Sequence, residues 1–362
     1  MIDMNSIKVL LVTQYVPHYR VAMYNLLQDK FDLTVLHNQE GLEKKICKFS
    51  HVYTQLGSTG PFLYFKMNLH KFCKNFDVVI SESNIRFIDR NISAILPWRK
   101  YKWIMWGIGQ AASYNKRLGQ RDVFKRVRFF LQKKSDALIL YSDFSLNSYI
   151  NAGISSTSIF VANNTIALKH VANPNSNKNI ILFIGTLYKQ KKLVELIDAY
   201  SIAHDRCGFQ MPLMIIGEGE ERNRLESYAK KSGLQDSVIF LGHIEDSLVI
   251  SEYFSQALVC ISPGQAGLSV LTSMANSVPF ITREDAVTGG EISNINNTYE
   301  QTGVVYTTKD NLVELLCDMH VNKVKYIKMG VSARDYYVRY RLPEYMINSI
   351  FDSVKYVVKD NG

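Results

Sequence analysis

The chain has 362 residues, 47% of them hydrophobic and 21% charged, which is enough for two domains with full cores and excludes a disordered or fibrous chain. The formal net charge of +9 favours anionic partners: nucleotides, nucleic acid or an anionic lipid surface. Lys8–Thr13 is a short apolar run, read as a buried strand. A loop holding His18 and Arg20 follows, then a helical pattern over Val21–Gln28 and a second strand over Phe31–Leu36. Strand, helix and strand within about 30 residues make a βαβ unit. Further strands are predicted at Asp77–Ile80, Lys102–Trp106, Ala137–Leu140 and Ser158–Ala162. Strands alternating with helices imply a parallel sheet covered on both faces, with ligands beyond the carboxyl ends of its strands.

Three loops at such ends matter in this half. One carries His18 and Arg20, one carries Glu82, Asn84 and Arg86, and one is Gly107-Ile-Gly109. His18 reads either as a solvated loop histidine or as a catalytic one, and Arg20 as a helix-start ion pair or a ligand contact. From Lys116 to Lys134 the chain is basic and aromatic and reads as one helix. Phe124, Val127, Phe130 and Leu131 share a face, with Arg121, Lys125, Arg128 and Lys133 beside or opposite it. That pattern suits a core helix with a solvated basic side, or a helix lying on an anionic bilayer.

The Asn- and Ser-rich stretch His170–Lys178 is the best linker. Strands then recur at Asn179–Ile184, Met211–Ile216, Val238–Leu241, Ala257–Ile261 and Val278–Ile281, and most end in glycine. The stretch Ile261–Pro279 reads as strand end, glycine-rich turn (Pro263, Gly264, Gly267) and helix, a unit suited to a phosphate at the helix start. Asp335–Val357 reads as one or two helices. The five cysteines contain no Cys-x-x-Cys pair, so reduced, mostly buried thiols of a cytoplasmic protein are expected. Neither a signal peptide nor a membrane-spanning run of about 18 apolar residues is expected.

Gly185-x-Leu187 with Lys191, Ile216-Gly217-Glu218-Gly219, Leu241-Gly242, Pro263-Gly264-x-x-Gly267-Leu268 and Met274-Ala275-x-x-x-Pro279 come in a set order. This pattern, over about residues 179–306, resembles the donor domain of the family-four retaining glycosyltransferases of GT-B fold. In the first half, Pro17-x-Tyr19-Arg20, Phe76–Val79, Trp106-Gly107, Ser135–Ala137 and Asn164-Thr165 are similar to bacterial surface-polysaccharide members. The resemblance implies an α/β chain of two facing Rossmann-like domains with parallel sheets, the C-terminal helices crossing back to the first. The acceptor domain would span 1–170 plus 340–362, and the donor domain 171–339.

The resemblance implies transfer of a hexose-type sugar from a nucleotide-diphosphate sugar, with retention. The acceptor would be a saccharide, polyprenyl-diphosphate-linked, in O-antigen or capsule assembly at the inner face of the bacterial membrane. Donor contacts would come from Gly185, Thr186, Lys191, Gly217, Gly219, Gly242, His243, Ile244, Gly264, Gln265, Ala266, Gly267, Leu268 and Thr272. Acceptor contacts would come from His18, Arg20, Glu82, Asn84, Gly107 and Gly109. Lys191, with helix-start amides, would meet the leaving phosphate, and Glu291 would face the sugar; His18 would be the base if the enzyme inverted. No Asp-x-Asp cluster ends a strand, so neither metal nor cofactor is expected; no nucleic-acid motif is present either. The family commonly has an arginine at Thr186 and glutamates at Gly264 and Thr272, which leaves the identity of the sugar open. A nucleotide-sugar epimerase of the same architecture and a non-catalytic nucleotide-sugar-binding module are the alternatives.

Overall fold

The computed structural model describes residues 3–42, 47–107, 124–143, 146–173, 177–295 and 301–359. Its first part runs β1 (Lys8–Val12), α1 (His18–Gln28), β2 (Asp32–His37) and β3 (Ser50–Tyr53), then the hairpin β4 (Leu56–Thr59) and β5 (Phe62–Phe65). It continues through α2 (Leu69–Cys73), β6 (Val78–Glu82), α3 (Ile88–Ile95), β7 (Lys102–Gly107), α4 (Lys125–Lys133), β8 (Ala137–Leu140), α5 (Leu146–Asn151) and β9 (Ile159–Val161). Seven of these strands form one parallel sheet in the order β3-β2-β1-β6-β7-β8-β9. Successive side chains leave a strand on opposite faces, so β1 feeds two cores at once. Val9 and Leu11 pack with Ile80, Ile104 and Trp106 on one side, and Leu10 and Val12 with Val79, Trp103 and Met105 on the other.

The second part runs β10 (Ile180–Ile184), α6 (Leu193–Cys207), β11 (Leu213–Ile216), α7 (Arg222–Lys231), β12 (Val238–Gly242), α8 (Ser247–Gln256) and β13 (Ala257–Ile261). It ends with α9 (Leu268–Ala275), β14 (Phe280–Arg283), β15 (Gly303–Tyr306), α10 (Lys309–Val321) and α11 (Lys323–Tyr340). Its parallel sheet has the order β12-β11-β10-β13-β14-β15. A capping box, Thr308 with Asn311, starts α10.

Among the described residues, the chain divides into unit one, 3–107, 124–167 and 343–359, and unit two, 168–342. The last helix, α12 (Pro343–Lys359), therefore belongs to unit one. Met346, Ile347, Ile350, Val354 and Val357 are all buried in the core on the α1 side of its sheet. Proline is well tolerated at the first turn of a helix, where no intrahelical donor is missed, so Pro343 marks this new start.

The strands predicted from apolar runs are present with ends shifted by a residue or two. The pattern misses β3, β15 and the hairpin. β3 is an edge strand with a half-exposed Ser-His-Val-Tyr sequence and no apolar run to reveal it. The helix predicted over 116–134 is seen from Lys125 to Lys133; Gly109 and Arg121 lie outside the described residues. The terminal helices begin at Lys323 rather than Asp335.

Candidate active site

In each sheet the strand order reverses once, between β1 and β6 in unit one and between β10 and β13 in unit two. Ligands of open parallel sheets bind at such switch points, beyond the carboxyl ends of the strands. In unit two the loops at that edge are laced by backbone hydrogen bonds. The Gly185 amide donates to Ile216 O (3.0 Å), that of Leu187 to Glu218 O (2.8 Å), that of Gly217 to Gly242 O (2.8 Å) and that of Gly264 to Lys191 O (3.1 Å). Three glycines exist for this lacing. A Cβ on Gly217 would stand 2.0 Å from Gly185 O, one on Gly219 2.2 Å from Leu187 O, and one on Gly264 1.8 Å from Gln190 O. Their neighbours are loop backbones, so loop packing accounts for them. Gly267 differs: its φ is −111° and a Cβ there would meet only the Gln265 side chain, at 3.8 Å. Protein packing leaves that position open.

The lacing holds a short 3-10 turn, Lys189–Lys191, against Gly264. Lys191 is 7% exposed, and its ammonium lies 5.4 Å from the Tyr188 ring centroid and 5.8 Å from that of Phe183. Among the described residues no carboxylate pairs with it. Burial pulls its pKa from 10.5 down to about 8, against a small opposing pull from Cys260. The next residue, Lys192, has a left-handed backbone (φ 55°) and sits 3.0 Å from both oxygens of Asp285. That ion pair joins the turn to the end of β14. Glu195 on α6 adds a second tie there, accepting from Arg283 Nη1 and Tyr306 Oη at 2.9 Å each.

Gly267 is the N-cap of α9, and the first amides of a helix lack partners within it, so this end suits an anion. The Ala266 amide, expected to share that role, is instead spent on Val287 O at 2.9 Å. This bond, with Val287 N to Gly264 O (2.9 Å), binds the loop before Glu291 to the loop before α9. Glu291 is buried, and its Oε2 accepts from the Gly289 amide (2.8 Å) and the Thr288 hydroxyl (3.3 Å). Asn294 and Arg341 steady the same segment: Arg341 Nε donates to Asn294 Oδ1 at 2.7 Å, and Asn294 Nδ2 to Glu291 O at 2.9 Å.

Gln265 accepts from the Tyr188 hydroxyl at 2.6 Å, and the Thr272 hydroxyl donates to Leu268 O at 3.0 Å. Gly242 has φ 77°, a left-handed conformation that favours glycine, and a Cβ would crowd Arg222 and Glu218. Thr186 and His243 are exposed and Ile244 half-buried; His243 Nε2 stands 3.4 Å from Glu245. Tyr188 and Asp285 were not singled out from the sequence. Tyr188 lies inside the Gly185–Lys191 motif and was findable there, whereas Asp285 meets Lys192 across 93 positions with no local signal.

In unit one, Thr13 and Glu82 meet at the β1/β6 switch point, the Thr13 hydroxyl donating to Glu82 Oε1 at 2.7 Å. His18 is exposed at the start of α1. Arg20, two residues on, is buried and turned inward. It donates to Asn164 Oδ1 at 2.7 Å and lies over the rings of Trp106 and Tyr141, so it ties α1 to the loop after β9. Its partner is thus an amide oxygen and two rings rather than the carboxylate of a helix-start ion pair. Asn84 accepts from the Arg86 amide at 3.0 Å, and Gly107 packs on Ser83, where a Cβ would stand 3.4 Å from the serine Cβ. Among the described residues no group of three or more His, Cys, Asp or Glu could hold a metal ion, and no helix is long and apolar enough to cross a membrane.

Residues 165–334 match the family described as glycosyl transferases group 1. An uncharacterized glycosyltransferase of Haemophilus influenzae is 30% identical over 134 residues, 34% of this chain and 36% of that one, so the match spans about a third of the relative. Solved structures align over nearly all of both chains. A glycosyltransferase of Rickettsia africae has a TM-score of 0.74 at 16% identity, covering 98% of this chain and 99% of its own. HepE of Anabaena, in complex with UDP, has 0.71 at 13%, covering 97% and 99%. The lipopolysaccharide outer core galactosyltransferase WaaB, in apo form, has 0.67 at 16%, covering 96% and 99%. The chain thus has the GT-B fold, and its residues 165–334 are similar to the group 1 glycosyl transferases.

Proposed function

We infer that the protein is a glycosyltransferase that moves a hexose-type sugar from a nucleotide-diphosphate sugar to a saccharide acceptor, with retention and without a metal. The observation that carries this is Lys191, a buried ammonium without a carboxylate partner among the described residues, whose backbone carbonyl accepts from Gly264 in the turn that leads to α9. Burying a cation unpaired is costly, and the cost is repaid when an anion arrives. A departing nucleotide diphosphate supplies that anion. Lys191 and the first amides of α9 would meet charge that grows in the transition state, the task a metal performs elsewhere. Exposed His243 and half-buried Ile244 would flank the base, and Glu291 would face the sugar. HepE has also been seen with UDP and glucose together, which supports a uridine nucleotide and a hexose as the first donors to try. Retention follows if the acceptor attacks on the face the phosphate leaves, a phosphate oxygen taking the acceptor proton.

The acceptor in this reading is polyprenyl-diphosphate-linked and belongs to surface-polysaccharide assembly, O-antigen or capsule, at the inner face of a bacterial membrane. WaaB, a lipopolysaccharide enzyme by name, is in keeping with it. So is the surface of two neighbouring helices. On α4 and just before it, Phe124, Val127 and Phe130 are each at least half exposed. On α3 and just after it, Ile88, Ile92, Ile95 and Trp98 are exposed as well. Lys133 and Lys134 stand at the end of α4. Apolar side chains rimmed by cations suit an anionic bilayer.

The test is a panel of nucleotide sugars against the full chain. A ligand that binds only the native state adds about 2.7 kcal/mol at a hundred times its Kd, so the true donor should raise the melting temperature. Transfer from that donor to a lipid-linked saccharide, with the product anomer read by NMR, then decides between retention and inversion. If no nucleotide sugar and no free nucleotide shifts the melting curve, the reading is wrong.

A further inference from the structure

One buried charge has no part in the donor chemistry. Arg90, on α3, is 1% exposed, with its guanidinium 3.7 Å from the ring centroid of Phe87 and 5.0 Å from that of Phe65. Among the described residues its Nε and Nη2 have no hydrogen-bond partner, while Nη1 reaches Glu82 Oε2 at 3.3 Å. The adjacent Asp89 is turned elsewhere, its oxygens accepting from the amides of Phe65 and Arg90 at 2.8 Å each. Glu82 is held from a second side by the Thr13 hydroxyl. Its side chain is nonetheless 44% exposed, at the carboxyl end of β6 where the sheet order reverses.

This arrangement is a poor way to gain stability. A buried guanidinium with two unpaired nitrogens and a half-exposed carboxylate as partner loses more hydration than the pair returns. An apolar side chain could cover Phe65 and Phe87 without that loss. What the arrangement does accomplish is to hold one carboxylate from two sides, with its free surface at the carboxyl end of β6 where the sheet order reverses.

We propose that Glu82, fixed by Arg90 and Thr13, selects the acceptor: it takes hydrogen bonds from the hydroxyls of an uncharged sugar and repels a sugar bearing a carboxylate at that place. Arg90 is then a positioning residue. The inference rests on the reading of the chain as a transferase with a saccharide acceptor. Like charges brought together at a recognition site are a strong means of rejecting a wrong partner, and a carboxylate held from two sides is placed to use it.

The experiment is saturation-transfer NMR on the full chain with methyl glucoside and methyl glucuronide at equal concentration. Wild type should bind the glucoside at least about tenfold more tightly than the glucuronide, because like charges brought together at a recognition site oppose binding. The double variant Arg90→Met with Glu82→Gln removes both charges together, so it leaves no orphaned ion in the interior, and its melting curve reports whether it folds. In it the preference should shrink to about twofold or less, the residue expected from shape alone. Arg90→Met alone keeps the carboxylate but frees it, so the glucoside should weaken while the glucuronide stays excluded. An unchanged preference in the double variant, or a wild type that binds both sugars alike or neither, overturns the proposal. Binding needs no turnover, so the selector can fail while donor transfer stands, and the reverse.

Discussion

Lys191 and Lys192 are neighbours in sequence and opposites in environment. The second is neutralised by Asp285, and the first is left without a carboxylate partner among the described residues. Lys191→Ala should therefore lower kcat by about 100- to 1,000-fold, the scale of losing one preorganised donor to a developing charge, with a smaller loss of donor affinity. An unchanged kcat at saturating donor would remove Lys191 from the chemistry. The lowered pKa adds a sign that can be checked. Above pH 10.5 the amine is neutral whether the chain is folded or not, so burial costs nothing there. As pH falls toward about 8 the unfolded chain gains the proton first, so the contribution of Lys191 to stability declines through that window and levels off below it. UDP binding should run the other way. Its affinity should be flat below pH 8 and fall by up to about tenfold per unit above it, with proton uptake on binding. Lys191→Arg, which stays charged, should flatten the profile. The two turn glycines make a second pair. Gly264→Ala should destabilise the protein, because its Cβ would stand 1.8 Å from Gln190 O. If α9 meets the donor phosphate as proposed, Gly267→Ala should melt near wild type yet bind UDP more weakly, since among the described residues a Cβ there meets only the Gln265 side chain, at 3.8 Å. Equal melting temperatures for the two variants, or unaltered UDP affinity in Gly267→Ala, would contradict this division.

Among the elements, α4 has the pattern of a core helix with a basic side and the surface of something else. Leu131 and Phe129 do pack toward the sheet, while Phe124, Val127 and Phe130 face outward. Each cation near an anionic surface contributes about 1 kcal/mol and is screened by salt. The protein should sediment with anionic vesicles and be released by salt, and Phe124→Ser with Phe130→Ser should reduce sedimentation without lowering the melting temperature. Binding to neutral vesicles as strong as to anionic ones would exclude the electrostatic part. A fall in melting temperature would show that these rings belong to the core.

Across the whole molecule, the chain ends in the unit where it began. The residues of α12 that fill unit one number five in its apolar stripe: Met346, Ile347, Ile350, Val354 and Val357. At about 1.5–3 kcal/mol for each buried apolar side chain, their loss is comparable to the whole stability of a domain, about 5–15 kcal/mol. Ending the chain at Leu342 should unfold unit one. Limited proteolysis should then cut within residues 3–167 and spare the unit of residues 168–342. Protection of both units in the shortened chain would mean that α12 is dispensable.

The apolar strands were legible because they are local. A buried parallel strand is a short continuous apolar run, whereas the need for glycine at 264 comes from Gln190 O of another loop, which a Cβ there would meet. Lys191 stands out in the sequence by its place after Gly185, but its burial and the Asp285 partner of Lys192 appear only in the fold. The half-polar edge strand β3 carries no apolar run, and pairing with β2 makes it a strand. Arg20 looks like a loop cation in sequence, and becomes an interior tie only when Asn164 arrives from 144 positions away. Thr13 and Glu82 are 69 apart, and Lys192 and Asp285 are 93 apart. Periodicity reports which residues must leave water. It does not report which charge will face which partner once they have left, because those partners are brought together by the crossovers of the two sheets and not by neighbouring positions in the chain.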